Sequence, residues 1–421
     1  METTSLSNSE LTRLFLLIGL LLASAHFWGY IFYKCKLPKV VGEIFGGFLF
    51  GKTVLGSWFP DIHRWLFYAF QEEGKLISVF YWLGLIMLMF ISGFEIQKSF
   101  DREDKKIIIA ISLGSTIIPF AAGFIAPLCF GISPFIGIKG NVLALQLIMG
   151  SAVAITAIPV ISKIFLDLNI MRTRFAKIIL TAATLHDVIL WCVLAIATGL
   201  VSTQAAEPLN IASTVIITIA FFVLSLTVMP KIIKLSNSSK YNFFIKSSVS
   251  GYAFVICFIF VAVASILNVN IVFGAFLAGI VVGMMPDGRF AAERAHIKEI
   301  ALSFFIPLYF AIVGSRIDLI HYFDIKLFLG FLLFATLFVM AGTLISARAV
   351  IRDWLSGINL AVAMNTRGAV GIVLATIALD SGIINETFFV SLVLVAIVST
   401  LLTGYWLRYV LARGWQLIKA E

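Results

Sequence analysis

The chain has 421 residues, of which 61% are hydrophobic and only 13% charged, far from the roughly half-apolar usage of water-soluble domains. This excludes an ordinary soluble enzyme or nucleic-acid-binding domain and makes the protein a polytopic membrane protein. The net charge of +9 is an orientation signal instead, as the loops show.

Apolar runs long enough to cross a hydrocarbon core of about 30 Å lie near 11–33, 38–56, 76–95, 106–130, 141–162, 175–199, 210–230, 247–266, 268–285, 300–316, 327–347, 358–379 and 387–407. They predict an all-α fold of about 13 transmembrane helices. With the amino terminus outside, 23 of the 31 Lys and Arg residues fall on inside loops, including Lys34, Lys105, Arg174, Lys231, Arg348 and Lys419, and 7 on outside loops. Arg367 is left unassigned to either side. This separation predicts an outside amino terminus and a cytoplasmic carboxyl terminus. The first run has no basic flank and is too long for a signal peptide, so residues 1–421 are expected to form a single membrane domain without a soluble regulatory module. Cys35, Cys129, Cys192 and Cys257 show no metal-ligand spacing and are expected to be buried or free thiols. No cofactor is expected.

Two pairs of segments look alike at an offset of roughly 220–230 residues: "VGEIFGGFLFG" (41–51) with "VFGAFLAGIVVG" (272–283), and "LIMLMFISGFEI" (85–96) with "FFIPLYFAIVGSRIDL" (304–319). By the loop count, the members of each pair cross the bilayer in opposite directions. An inverted repeat of this kind is typical of secondary transporters, whose site lies near the midplane. Close packing of helices through small residues is the plainer explanation of the glycines.

Few ionisable groups remain within the spans. Glu43, Glu95 and Lys52 sit near span ends, from which they are expected to reach the interface. The sixth span, "TAATLHDVILWCVLA" (181–195), places His186 and Asp187 at mid-depth. A carboxylate there costs a few kcal/mol on insertion scales and persists only with partners or water, which marks a functional residue. A purely structural ion pair with Arg367 is the competing explanation.

Two further spans are interrupted at corresponding places. "GSAVAITAIPVISKI" (150–164) contains Thr156 and Pro159; a proline removes a backbone donor and clashes with the preceding turn, which frees the carbonyls around Ile155 and Thr156. "AVAMNTRGAVGIV" (361–373) sets Asn365, Thr366, Arg367 and Gly368 into an otherwise apolar helix. Freed backbone at membrane depth is tolerated only where it lines a cavity or is buried in protein, and a pair of broken helices, one per half, points to a transporter site. Carboxylate, hydroxyl and carbonyl oxygens are hard ligands for Na⁺, K⁺ or Li⁺, so Asp187 and Thr156 are the candidate ligands of a monovalent cation. Burial disfavours the ionised carboxylate and a bound cation favours it, so one site can hold a proton or a metal ion, and the competition couples the two. His186 is adjacent in sequence but about 100° away around the helix, which favours a hydrogen-bonding, helix-orienting role over proton carriage. The residues leave open whether Arg367 pairs with Asp187 or bridges the broken helices.

"LPKVVGEIFGGFLFG", "GLIMLMFISGFEI", "TAIPVISKIFLDL", "AATLHDVILWCVLA", "GAFLAGIVVG", "FFIPLYFAIVGSRID" and "MNTRGAVGIVLATIAL" together resemble the monovalent cation:proton antiporter-2 family, which includes sodium/proton antiporters, Kef-type potassium systems and plant cation/proton exchangers. The resemblance runs from about residue 36 to 405. It implies the inverted-repeat antiporter fold with two crossed unwound helices, a mobile core mainly over 76–199 and 300–407, and dimerisation elements mainly over 11–56 and 210–285 of a homodimer. It matches Asp187 to the ion-binding aspartate of the family, and Thr156 and Ala157 to an unwound-helix pair that is often Thr-Ser. The chain departs at His186, where Asp, Asn or Gln is usual. It departs again around Val339, where many members carry a Lys, and at "RGA", where the family reads "RGE". One carboxylate without that lysine implies electroneutral exchange.

The function expected is exchange of a monovalent cation, Na⁺ before K⁺ or Li⁺, for H⁺ across a cell membrane, the bacterial inner membrane. The chain is not expected to be an enzyme, and its partners are lipid and a second copy of itself. A proton-coupled carrier of an organic or anionic solute, anchored by Arg367, is the alternative on the same fold. A non-transporting cation sensor is the alternative from another class.

Overall fold

The computed structural model describes residues 7–35, 37–68, 73–95, 104–202, 208–238, 245, 247–285 and 287–419. The side chain of Glu95 and several of the counted loop cations (Lys36, Lys98, Arg102, Lys240, Lys246, and the side chain of Arg289) lie outside the described residues. Among those described the chain is helical, with a single isolated bridge between Ile136 and Ile384. The main helices are α1 (Asn8–Lys34), α2 (Lys39–Phe50), α3 (Glu73–Glu95), α4 (Lys105–Phe130), α5 (Val142–Ala154), α6 (Ile158–Asp167), α7 (Arg174–Ser202) and α8 (Pro208–Thr227). They continue as α9 (Val249–Ile266), α10 (Ile271–Gly283), α11 (Asp287–Ile300), α12 (Ile306–Arg316), α13 (Ile325–Val350), α14 (Trp354–Met364), α15 (Gly368–Asp380) and α16 (Glu386–Ala412).

Each of the thirteen apolar runs carries helix, the fifth and twelfth with a break inside it. Among the described residues, 11 helices are long and apolar enough to cross a membrane, and α14 with α15 form a twelfth span bent by 42°. The ninth run is the exception in length, because α10 has only 13 residues. The protein is therefore a multi-pass membrane protein.

Helix starts follow local chemistry. Side-chain oxygens of Ser7, Asn141, Ser248, Asp324, Asp353 and Asn385 accept backbone N–H groups in the first turns of α1, α5, α9, α13, α14 and α16. These amides have no partner within their helices. One span changes its winding instead of breaking: α11 runs through a π-helical turn, Ala301–Phe305, into α12.

By packing, the chain divides into two compact units, one from Met1–Ile91 with Gly288–Tyr322, the other from Ser92–Asp287 with Phe323–Glu421. In the first, α2 packs against α1 and α12. A side chain at Gly314 would collide with the Ile44 carbonyl and crowd Phe48 N, so only glycine permits this approach. In the second, a side chain at Gly93 would collide with the Phe276 carbonyl and Ile280 N. Aligning Gly47 with Gly279 matches Ile44 to Phe276 and Phe48 to Ile280, so the two contacts correspond position for position. The similar segments thus make the same contact twice, with the partners exchanged between them.

Glu43 differs from expectation. It does not reach for the interface: it is only 3% exposed and pairs with Lys39 at 3.2 Å, one turn earlier on α2. The lysine is the exposed member of the pair, and the carboxylate stays inside the unit. Lys52, by contrast, is exposed.

Candidate cation site

Both predicted interruptions lie within the second unit, and they are bonded to each other. In the fifth span α5 ends at Ala154, residues 155–157 are extended, and α6 begins at Ile158 with Pro159 in its first turn. A proline is accommodated there because its missing N–H would have had no helical acceptor. In the twelfth span α14 ends at Met364, Asn365 and Thr366 are non-helical, and α15 begins at Gly368. Gly368 has φ +44°, a region open to glycine at little cost, and a side chain there would meet Val160 and Ala157.

The Thr156 hydroxyl donates to the Met364 carbonyl at 2.6 Å, and the Ala157 N–H donates to the Thr366 carbonyl at 2.6 Å. The hydroxyl proton of Thr156 is thereby committed, and its oxygen keeps lone pairs for another partner. Arg367 answers in the other direction. Its guanidinium donates to the Val153 carbonyl at 3.2 Å, the Ala152 carbonyl at 3.4 Å and Asn365 Oδ1 at 2.8 Å. Two of these acceptors belong to the last turn of α5, where helical carbonyls lack partners and a cation opposes the negative dipole end. All of these side chains are buried, with Thr156 and Thr366 at 0%, Arg367 at 2% and Asn365 at 5% exposure.

Asp187 is the fourteenth of the 29 residues of α7, and α7 packs against α5, α6 and α14. It therefore stands at mid-helix on the element that lies along both broken spans. Asp187 is 4% exposed and His186 is fully buried. Arg367 does not pair with Asp187, since its partners are Asn365 and the two α5 carbonyls. For His186, neither ring nitrogen has a hydrogen-bond partner among the described residues, so the orienting bond expected of it is not found there.

Sequence reasoning missed several participants. Thr400 on α16 accepts the Gly368 N–H at 3.1 Å, and Thr403 donates to the Val362 carbonyl at 3.0 Å. Asn365 donates to Thr336 on α13 at 3.4 Å. Ser151, one turn before the first break, is buried and its hydroxyl has no partner among the described residues. The spacing of Ser399, Thr400 and Thr403 puts three hydroxyls on one face of an apolar helix, a signal that was available.

The family described as "Sodium/hydrogen exchanger, transmembrane" matches residues 20–413. The chain belongs to this family of cation/proton antiporters. Its members are transporters and not enzymes. Among similar proteins, the Na(+)/H(+)-K(+) antiporter GerN of Bacillus cereus is 26% identical over 416 residues, covering 97% of this chain and 98% of GerN. The Na(+)/H(+) antiporter NhaS4 of Synechocystis is 25% identical over 400 residues, covering 94% and 95%. Among solved structures, the sodium proton antiporter MjNhaP1 of Methanocaldococcus jannaschii aligns with a TM-score of 0.68 at 16% identity, over 94% of this chain and 97% of that one. This last likeness concerns the fold.

Proposed function

We propose that the protein exchanges a monovalent cation for H⁺ by competition at Asp187, with the Thr156 oxygen and freed backbone carbonyls completing the cation's shell. The observation that carries this reading is the mutual bonding of the two breaks beside the helix that holds Asp187 at its centre. Carboxylate and hydroxyl oxygens suit small hard cations. The names of GerN and NhaS4 support Na⁺ as the first candidate, with K⁺ and Li⁺ compatible with the same ligand chemistry. The neutralised site, protonated or cation-loaded, is the form that changes sides, because a ligand shifts a conformational equilibrium only through differential affinity.

Arg367 bridges the broken helices, and its charge is held by oxygens other than those of Asp187. One carboxylate works per cycle. No Lys, Arg or His occurs between residues 327 and 345 on α13, and Val339 is buried there, which supports electroneutral one-for-one exchange. The protein acts as a homodimer in a bacterial inner membrane, with its amino terminus outside and its carboxyl terminus in the cytoplasm. Residues 76–199 and 300–407 supply the moving core, and 11–56 and 210–285 the dimerisation elements.

The test is a proteoliposome with an imposed pH gradient. Added Na⁺ dissipates the gradient through the wild-type protein, and Asp187→Asn abolishes the response while the variant still purifies folded. A wild-type protein that responds to no alkali cation overturns the reading. A rate that follows membrane voltage under a potassium/valinomycin clamp, with Na⁺ as driver, overturns electroneutrality alone.

A further inference from the structure

A second polar feature of the same unit lies away from the two breaks themselves, where three helices begin. A cavity of about 400 Å³ is lined by Arg174, Arg352, Lys419 and Asp353 together with apolar Ile107, Val350, Ile351 and Ile418. Ile107 belongs to the first turn of α4, Arg174 is the first residue of α7, and Asp353 caps α14. Three positive helix ends therefore border one space, which the carbonyl end of α13, closed by Val350 and its cap Ile351, also reaches. The α4 cap residue, Asp104, makes no side-chain bond to that helix; it is held by the Arg174 guanidinium at 2.7 Å and 3.0 Å.

The charges around the cavity do not balance. Asp353 accepts from the Ser356 N–H and hydroxyl and pairs with Lys419 at 3.0 Å, and Asp104 is engaged by Arg174. The Arg352 guanidinium is exposed and has no acceptor among the described residues, although its backbone carbonyl accepts from Arg348. An unanswered planar donor fork, two further cations and three helix starts favour an anion with several oxygens. A neutral or cationic ligand would gain nothing from them.

We propose that this cavity binds a phosphate group, that of an anionic phospholipid headgroup. The isoleucine and valine wall gives the glycerol and first methylenes an apolar surface, and the adjoining Trp354 and Trp415 are exposed at 59% and 44%, as expected of aromatic rings at a membrane interface. This end of the unit also carries the basic loop residues that the charge bias assigns to the cytoplasm, where anionic headgroups meet basic pockets between helices. The site is independent of Asp187, and its test does not read transport.

The experiment is thermal unfolding of the purified protein in mild detergent, titrated separately with phosphatidylglycerol, phosphatidylcholine and inorganic phosphate. Phosphatidylglycerol raises the midpoint of the wild type, and phosphatidylcholine at the same concentration does not. Arg352→Gln weakens the response about tenfold in half-saturating lipid, the size of one lost charge-assisted bond. Arg352→Lys recovers part of it. Because Arg352 is exposed and bonds through its backbone alone, the glutamine variant folds. A response to inorganic phosphate as strong as that to the lipid keeps the phosphate site and assigns a soluble ligand. The proposal is overturned if neither phosphate source shifts the midpoint, or if Arg352→Gln responds as the wild type does.

Discussion

The two broken spans solve one problem with different chemistry. Each leaves backbone polar groups stranded in an apolar interior, where an unmade hydrogen bond costs about 1–3 kcal/mol. The first break is neutral. It relies on Pro159 to end the helical pattern, on the Thr156 hydroxyl and the Ala157 amide for its cross-bonds, and on Asn141 to cap α5. The second uses ionised groups: Arg367 spans the gap to α5, and Asp353, paired with Lys419, caps α14. A helix whose partner supplies the positive charge needs none of its own. In the proposed exchange, the first span would offer oxygen ligands without adding a cation of its own.

The contrast is broken most severely by removing that charge. Arg367→Gln leaves the Ala152 and Val153 carbonyls and Asn365 without their donor and lowers stability by about 3 kcal/mol or more, read as a fall in the thermal midpoint and in the yield of folded protein. Arg367→Lys keeps the charge without the fork and falls between. Gly368→Ala comes next: its positive φ and the approach of Val160 and Ala157 imply a loss of about 1–3 kcal/mol. Pro159→Ala, at the matching turn of the first break, costs less than about 1 kcal/mol because no backbone bond is forfeited. Equal losses at the two positions would erase the distinction drawn between them.

Thr156→Val removes a buried donor from Met364 at a cost of about 1–3 kcal/mol and also raises the apparent KM for the cation. Thr156→Ser preserves both properties. A valine variant with an unchanged KM would take Thr156 out of the cation shell and leave it as a helix clamp.

The smallest effect concerns the caps. The bond from the Ser356 N–H, then the Ser356 hydroxyl and Lys419, hold the Asp353 carboxyl at about 2, below its ordinary 3.8. A carboxyl depressed in the folded state contributes stability that is complete above its unfolded value and is lost as the pH falls through the folded one. Asp353 therefore contributes fully above about pH 4, and its share fades towards pH 2. Asn141 does not titrate. Asp353→Asn, which gives α14 the neutral kind of cap found on α5, is expected to flatten this part of the acid-unfolding profile, and Asn141→Ser to leave it unchanged.

How much of this was legible depends on range. Both breaks could be read locally, because a proline and an Asn-Thr-Arg-Gly run interrupt apolar periodicity whatever the surroundings. Asp187 stood out by the same reasoning, since a mid-span carboxylate is costly anywhere. The partners could not be read. Nothing near Arg367 names Ala152 and Val153 as its acceptors, and nothing near Gly368 names Thr400, because those bonds are set by packing between distant segments. Glu43 shows a related limit: its position near a span end suggested an interfacial carboxylate, yet the close approach of α2 to its neighbours through glycine keeps it inside. The hydroxyl row on α16 was visible as a pattern, and only its targets needed coordinates.

The two short bonds from Thr156 and Ala157 to Met364 and Thr366 tie stretches of chain 208 residues apart in one case into a single joint. A wall fastened at two points does not breathe independently of the wall it is fastened to. For any ion lodged there, the fit to its radius is a joint property of both stretches. Altering discrimination among alkali metals by changing one stretch alone is then expected to meet resistance from the other, and paired substitutions on the two sides are the route by which such a preference can drift.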